Sequence, residues 1–299
     1  MKAVMLMAYG SPRSLDEVEE YYTHIRGGKR PSQEQLEALK EKYRRIGGSP
    51  LIEITKRQAE KLEAALSRQG TSVPVYAAMK HSHPFISEVV AEAVRDGVDR
   101  LLCIVLAPHY SRISTGGYEK FVNDAVSAAG GIIQVSFVRS WHDNPLLVSA
   151  WEKRLRQAGT KAGNDYWPIF TAHSLPERIL REGDPYKQQL METSSLVASA
   201  AKLSGWSFAF QSQSKTGEPW LGPDVIDHME ELVKGGRRSF VVVPVGFVSD
   251  HLEILYDLDV ECVEWARERG VSFVRCSMLN DSDDLAECLA SVVRKEGFA

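Results

Sequence analysis

The sequence has no long apolar run. No stretch reaches the roughly 18 uninterrupted apolar residues of a spanning helix, so a transmembrane segment is not expected. It has little net charge: 36 Lys and Arg against 40 Asp and Glu leave −4. A balance that mild argues against nucleic acid as the main partner. It has only four cysteines, Cys103, Cys262, Cys276 and Cys288, none in CxxC spacing. They read as free thiols of a reducing compartment, with no evident zinc or iron–sulfur framework. GxGxxG and GxxxxGK(S/T) are absent, so nucleotide binding has no direct support. HExxH and GxSxG are absent too, leaving zincin and α/β-hydrolase readings without an anchor. The start, MKAVMLMAYG, has an apolar run of about seven residues and no small-residue cleavage site. It reads as a first strand and points to a cytoplasmic protein.

Strand and helix patterns alternate throughout. Strands are expected over 3–8, 73–79, 101–106 and 132–137, with helices over 14–24, 32–46, 51–67, 84–96, 116–129 and 144–158. The pattern restarts with strands over 166–172, 207–211, 240–245 and 271–275, and helices over 185–203, 223–234, from 251, and over 281–295. Such alternation indicates parallel sheets. Ser14 with Glu17 reads as a capping box, and Pro84 as a tolerated first helical residue. The weakly patterned stretch 157–165 divides the chain into expected domains 1–160 and 161–299. Residues 97–111 and 235–249 echo each other, as do Ala8-Tyr9-Gly10-Ser11-Pro12 and Ala172-His173-Ser174-Leu175-Pro176. The echo suggests two similar halves.

The stretch 240–261, FVVVPVGFVSDHLEILYDLDVE, organises the second half. Its β-branched start suits a strand buried on both faces. Gly246 permits a turn, and Ser249 or Asp250 can cap the helix that follows. Glu253, Asp257 and Glu261 stand four apart, so an α-helix would carry all three on one face. Like charges at that spacing destabilise a helix. The row is either a solvated acidic face or a track for a cation at the carboxyl end of a strand, where α/β sheets bind ligands.

His173 ends another buried strand. A histidine there either hydrogen-bonds its loop or accepts protons and metal near neutral pH. Paired with Glu253 across a cleft it would offer one nitrogen and one oxygen ligand, leaving open positions. Tyr9, Arg26, Lys42, Tyr43, Ser49 and Tyr118 combine flat rings with cations. That mixture suits a planar apolar ligand bearing carboxylates. Individually, each also fits a packing or solvated role. His81, His83 and His109 follow other strand ends.

These residues fall in blocks that resemble the ferrochelatase family: MAYGSP at 7–12, YYTHIRGGK at 21–29, IGGSPL at 46–51, KHSHPF at 80–85, LAPHYS at 106–111, TAHSLPE at 171–177, WLGPDV at 220–225 and VPVGFVSDHLEILYD at 243–257. In particular they resemble the Gram-positive bacterial type that acts on coproporphyrin III. The resemblance implies an α/β protein of two Rossmann-like domains, each a parallel four-stranded sheet flanked by helices. This is the chelatase fold, with a porphyrin cleft between the domains and the last helix packing back on the first. It implies insertion of Fe2+ into coproporphyrin III, with release of two protons, in haem biosynthesis. His173 and Glu253 are then the iron and catalytic residues. Tyr9 lies on the opposite face of the macrocycle; Arg26, Lys42, Tyr43, Ser49 and Tyr118 hold the porphyrin; Asp257 and Glu261 form a secondary acidic metal path. Porphyrin and ferrous iron are substrates, and neither a prosthetic group nor an iron–sulfur cluster is implied. A monomer in transient contact with haem-pathway proteins is expected. Gly27 and Lys42 depart from the family, which often has arginine at both positions, and lysine lacks the bidentate fork of arginine.

Three alternatives remain: a protoporphyrin IX ferrochelatase, a cobalt chelatase of sirohydrochlorin-type rings, and a non-catalytic haem carrier. The second should need more cations around its cleft. The third would have little use for the acidic row.

Overall fold

A computed structural model describes residues 1–299 apart from Asn164, Lys215 and Ala299. Asn164 belongs to the expected boundary 157–165, and that part of it lies outside the described residues. Two four-stranded parallel sheets form the frame. The first contains β1 (Lys2–Ala8), β2 (Val75–Met79), β3 (Arg100–Val105) and β4 (Gln134–Val138) in the order β2-β1-β3-β4. The second contains β5 (Trp167–His173), β6 (Ser207–Gln211), β7 (Ser239–Val243) and β8 (Ser272–Arg275) in the order β6-β5-β7-β8. The halves thus repeat one topology, as the internal echo suggested. β1 and β7 are central strands, buried over Ala3–Ala8 and Phe240–Val243, which is why they are apolar without alternation.

In each sheet the chain moves outward from its first strand, then returns to the other side for its third. The order therefore switches between β1 and β3, and between β5 and β7. Ligands of open α/β sheets bind beyond the carboxyl ends of the strands at such a switch. Tyr9 follows β1, His173 ends β5 and Glu253 follows β7.

Three helices fill the β1–β2 connection: α1 (Val18–Ile25), α2 (Gln33–Ile46) and α3 (Leu51–Arg68). α1 starts later than expected, because Glu17 accepts a bond from the Arg13 N–H at 2.8 Å instead of boxing Ser14. The reciprocal box lies on α2, between Ser32 and Gln35. Next come α4 (Ile86–Arg95), α5 (Gly117–Ala128) and α6 (Pro145–Ala162). Pro84 stands outside α4, after a cis peptide bond from His83. The second half carries α7 (Arg178–Arg181, not expected from sequence), α8 (Tyr186–Ala201), α9 (Val225–Lys234), a π-helix (Ile254–Cys262), α10 (Val263–Arg269) and α11 (Asp283–Lys295).

One apolar core runs from Val4 and Leu6 through Leu62 and Leu66 of α3 and Trp151 of α6 to Phe170, Val242 and Leu289. α6 packs on β7, β8 and α8, so a helix that begins before residue 160 and runs past it covers the second sheet. α11 packs on α3 and α6. Arg57–Asp281, Lys61–Asp283 and Arg68–Glu287 pairs border that contact at 2.7–3.0 Å. Exposed pairs contribute at most about 1 kcal/mol each, so the shared core carries the association of the halves.

Candidate active site

The site begins with the way β7 leaves its sheet. A Cβ at Gly246 would lie 2.4 Å from the Ala172 Cβ and 2.8 Å from its Cα. Glycine is needed for this close approach and not for a left-handed turn. Its N–H donates to the Thr171 carbonyl at 3.1 Å. The segment leading to Glu253 is thereby laid against the strand that ends in His173.

Beyond Gly246, three side chains converge. His173 Nδ1–H donates to the Ser174 carbonyl, which turns Nε2 outward. That nitrogen lies 3.3 Å from Glu253 Oε1, and the two side chains keep 29% and 35% of their surface exposed. His251 Nδ1–H donates to the Ser249 carbonyl at 2.9 Å, and its Nε2 lies 3.3 Å from Glu253 Oε2. Glu253 is therefore flanked by two imidazoles. The sequence reading left His251 out of the site; its spacing of two from Glu253 was the available signal. The surrounding loops are anchored: Tyr186 Oη donates to the His173 carbonyl at 2.9 Å, and Gln211 Nε2 to the Glu253 carbonyl at 3.3 Å.

Burial opposes charge on both central groups, but their pairing overcomes it. His173 rises to about 9 through the Glu253 charge and hydrogen bond, helped by the Ser174 carbonyl and Asp257. Burial would raise Glu253, yet His173 and His251 hold it well below the usual carboxylate range. The free site is thus an imidazolium–carboxylate pair. Removing the shared proton would expose an open nitrogen–oxygen ligand set of the kind that binds a first-row metal ion and releases it.

The acidic row leads away from this pair, but not along an α-helix. Residues Ile254–Cys262 are π-helical, with Glu253 just ahead of them. In a π-helix the bonding step is i→i+5, so the expected α-helix is corrected, while residues four apart fall just short of one turn instead of just past it and stay near one face. The carboxylates still feel one another. Burial, then Glu253, raises Asp257 to about 6, against a bond from the Ser212 hydroxyl and the Lys42 charge. Burial also raises Glu261, again opposed by Lys42. The Lys42 ammonium itself lies over the Tyr256 ring at 4.5 Å. It thus reaches the π-helix and offsets the like charges there.

The first half supplies the facing wall. Tyr9 is 43% exposed, and its ring centroid lies 4.5 Å from that of His81. Burial and then the Glu253 charge push Tyr9 up to about 12. Tyr43 is raised as well, by burial and then by Glu253 and Tyr9 against a bond from Tyr21. Tyr9, Tyr43 and Glu253 are therefore within electrostatic reach. Tyr118 is buried beneath Lys80. Arg26 lies over the Tyr22 ring at 5.6 Å and donates to the Lys29 carbonyl at 3.2 Å. Ser49 accepts a long bond from the Leu51 N–H at 3.4 Å at the start of α3. Among the described residues no contact ties Arg26 or Ser49 to the Glu253 cluster. Gly27 and Gly28 have φ of +64° and +89° and end α1, so arginine at 27 would be strained there.

Known proteins resemble this chain over nearly its whole length. The family model for ferrochelatase matches residues 1–297. A ferrochelatase of Herpetosiphon aurantiacus is 42% identical over 297 residues, covering 97% of both chains. Coproporphyrin III ferrochelatase of Bacillus subtilis is 41% identical over 301 residues, covering 98% of this chain and 97% of its own. Among solved structures, SirB from Bacillus subtilis with Fe3+ has a TM-score of 0.63 at 12% identity, covering 98% of this chain and 94% of that one. CbiX, the terminal enzyme of sirohaem biosynthesis in denitrifying bacteria, has a TM-score of 0.61 at 11% identity and covers 98% of each chain. The two structures establish a shared fold; the match over 297 residues, with relatives above 40% identity, places this chain in the ferrochelatase family.

Proposed function

We propose that this enzyme inserts ferrous iron into coproporphyrin III in haem biosynthesis, with His173 and Glu253 as the catalytic pair. The carrying observation is the 3.3 Å approach of His173 Nε2 to Glu253 Oε1 at the topological switch of the second sheet. Iron and porphyrin are substrates. The reaction balances as free-base porphyrin plus Fe2+ giving iron porphyrin plus two protons.

Iron loading first displaces the proton shared by the pair. The vacated imidazole nitrogen and carboxylate oxygen replace part of the ion's water shell, and the Asp257–Glu261 row offsets the rest of that loss. As iron passes into the ring, two pyrrole N–H bonds break. His173 Nε2 takes one proton, which restores the ion pair; its affinity is high because Glu253 stands beside it. Proton acceptance and iron ligation by His173 are successive, since one lone pair serves both. The other proton leaves along the acidic row, where Asp257, raised to about 6, exchanges protons near neutrality. Tyr9 covers the opposite ring face, and Arg26, Lys42, Tyr43, Ser49 and Tyr118 hold the ring and its carboxylates. Binding energy from that periphery bends the macrocycle and tilts its lone pairs toward the ion.

The high identity to coproporphyrin III ferrochelatases supports this ring over protoporphyrin IX. We further infer a cytoplasmic monomer that works without a prosthetic group and meets haem-pathway proteins transiently. Among the described residues no helix is long and apolar enough to cross a membrane. Anaerobic turnover of coproporphyrin III and protoporphyrin IX with Fe2+, followed by absorbance, tests the function. Insertion into coproporphyrin III at the higher kcat/KM is expected; insertion into neither would overturn it.

A further inference from the structure

Lys80 is a half-buried cation with no anion beside it among the described residues. It follows β2, and its N–H donates to the Ala8 carbonyl at 2.9 Å. The next residue repeats the bond, His81 N–H to the Tyr9 carbonyl at 2.9 Å. Lys80 and His81 thus extend the β1–β2 ladder beside Tyr9, at the carboxyl end where the ring is read to bind. The Lys80 ammonium lies 4.8 Å from the Tyr118 ring centroid and 5.2 Å from that of Phe121. Phe121 also meets the His81 ring edge-on, with centroids 5.9 Å apart. A Cβ at Gly117 would come within 3.2 Å of Nζ, so glycine there leaves room for the ammonium. Among the described residues no carboxylate lies within 4.0 Å of it and Nζ makes no hydrogen bond. The nearby acids are engaged: Glu119 pairs with Arg139 and Asp124 with Lys120. The start of α5, at Gly117, is the positive end of a helix, which disfavours a bare cation. Burial lowers the affinity of Lys80 for its proton. The two rings compensate in part, at about 0.5–2 kcal/mol for such a contact.

We propose that Lys80 binds a carboxylate on the tetrapyrrole's inner edge and thereby favours rings with more than two carboxylates. The inference rests on the reading of the cleft as a tetrapyrrole site. Arg26 and Lys42 lie on other segments, and a two-carboxylate ring is held by those cations alone. An additional carboxylate meets Lys80 above Tyr118, where desolvation strengthens the pair.

The test compares coproporphyrin III, with four propionates, and deuteroporphyrin IX, with two, in wild type, Lys80→Met, Lys80→Gln and Lys80→Arg. For coproporphyrin III, Lys80→Met and Lys80→Gln should raise KM about tenfold, the equivalent of one charge-assisted hydrogen bond. kcat and the KM for deuteroporphyrin IX should stay within about twofold, and Lys80→Arg should recover most of the affinity because it keeps the charge. The rise of the coproporphyrin III KM with salt should be shallower in the neutral variants. Equal losses on both rings, or no loss on coproporphyrin III, would overturn the proposal. If Lys80→Met fails to fold, Lys80→Gln against Lys80→Arg decides by the same criteria. Wild type that metallates neither ring would instead refute the proposed function. Wild type that prefers coproporphyrin III, with the preference intact in Lys80→Gln, refutes only the role of Lys80.

Discussion

Glu253→Gln isolates the charge that sets the proton affinity of His173. The substitution keeps the volume and burial of the side chain and removes its charge. The rise of His173 from 6.5 to about 9 corresponds to about 3 kcal/mol at roughly 1.36 kcal/mol per unit. Both side chains keep about a third of their surface in water, so screening reduces this to about 1.5–2 kcal/mol. Without Glu253 the desolvation of His173 loses its main opponent, and the imidazole should titrate at or below its ordinary value. NMR of the imidazole Cε1–H resonance should therefore give wild-type His173 above pH 8 and the variant below pH 7, each roughly. Stability follows with a definite sign. A folded-state value raised above the unfolded one contributes fully below about pH 6.5 and is lost as pH rises through about 9. Glu253, held low, contributes above about pH 4.5. The stability difference between wild type and Glu253→Gln should be largest between about pH 5 and 6.5 and close above about pH 9. Chemical denaturation at several pH values measures it. A His173 that titrates alike in both proteins, or a gap that widens with pH, would refute the pairing.

His173→Ala should reduce iron insertion by at least about a hundredfold, the lower range for a general base, while porphyrin fluorescence titration gives binding within a few-fold of wild type; near-normal turnover would remove His173 from the mechanism. Gly246→Ala forces a Cβ to 2.4 Å from Ala172 and should cost about 1–3 kcal/mol as overpacking. Thermal unfolding would register that cost, and KM for iron should rise as the His173–Glu253 distance opens; an unchanged melting temperature would count against the close packing. Asp257→Asn removes a carboxylate whose folded-state value is raised, so it should stabilise the protein at pH 8 by about 1–2 kcal/mol and have little effect at pH 4. Stabilisation confined to acid pH would contradict the repulsion inferred along the row.

The sequence announced the secondary structure in outline, because the cues are local. β-branched runs such as Phe240–Val243 announce buried strands, and the apolar stripe of α3 announces its buried face. It placed His173 at a strand end and Glu253 after another, since both flank apolar runs. It did not reveal the π-helix over Ile254–Cys262, because residues four apart suit an α-helical face equally well. It assigned Lys42 to the ring but gave no sign that its ammonium also lies over Tyr256 beside the acidic row. It explained Gly246 by a turn, although the requirement is the approach to Ala172, a residue 74 positions earlier in the chain. It passed over His251 and Lys80, whose meaning lies in what stands beside them. Tertiary structure alone decided which strand ends meet. The order β6-β5-β7-β8 sets the carboxyl ends of β5 and β7 side by side, and one core joins both sheets. A pattern read along the chain reports what each segment buries; it carries no record of the partner across the cleft, which is set by the non-local burial of apolar surface.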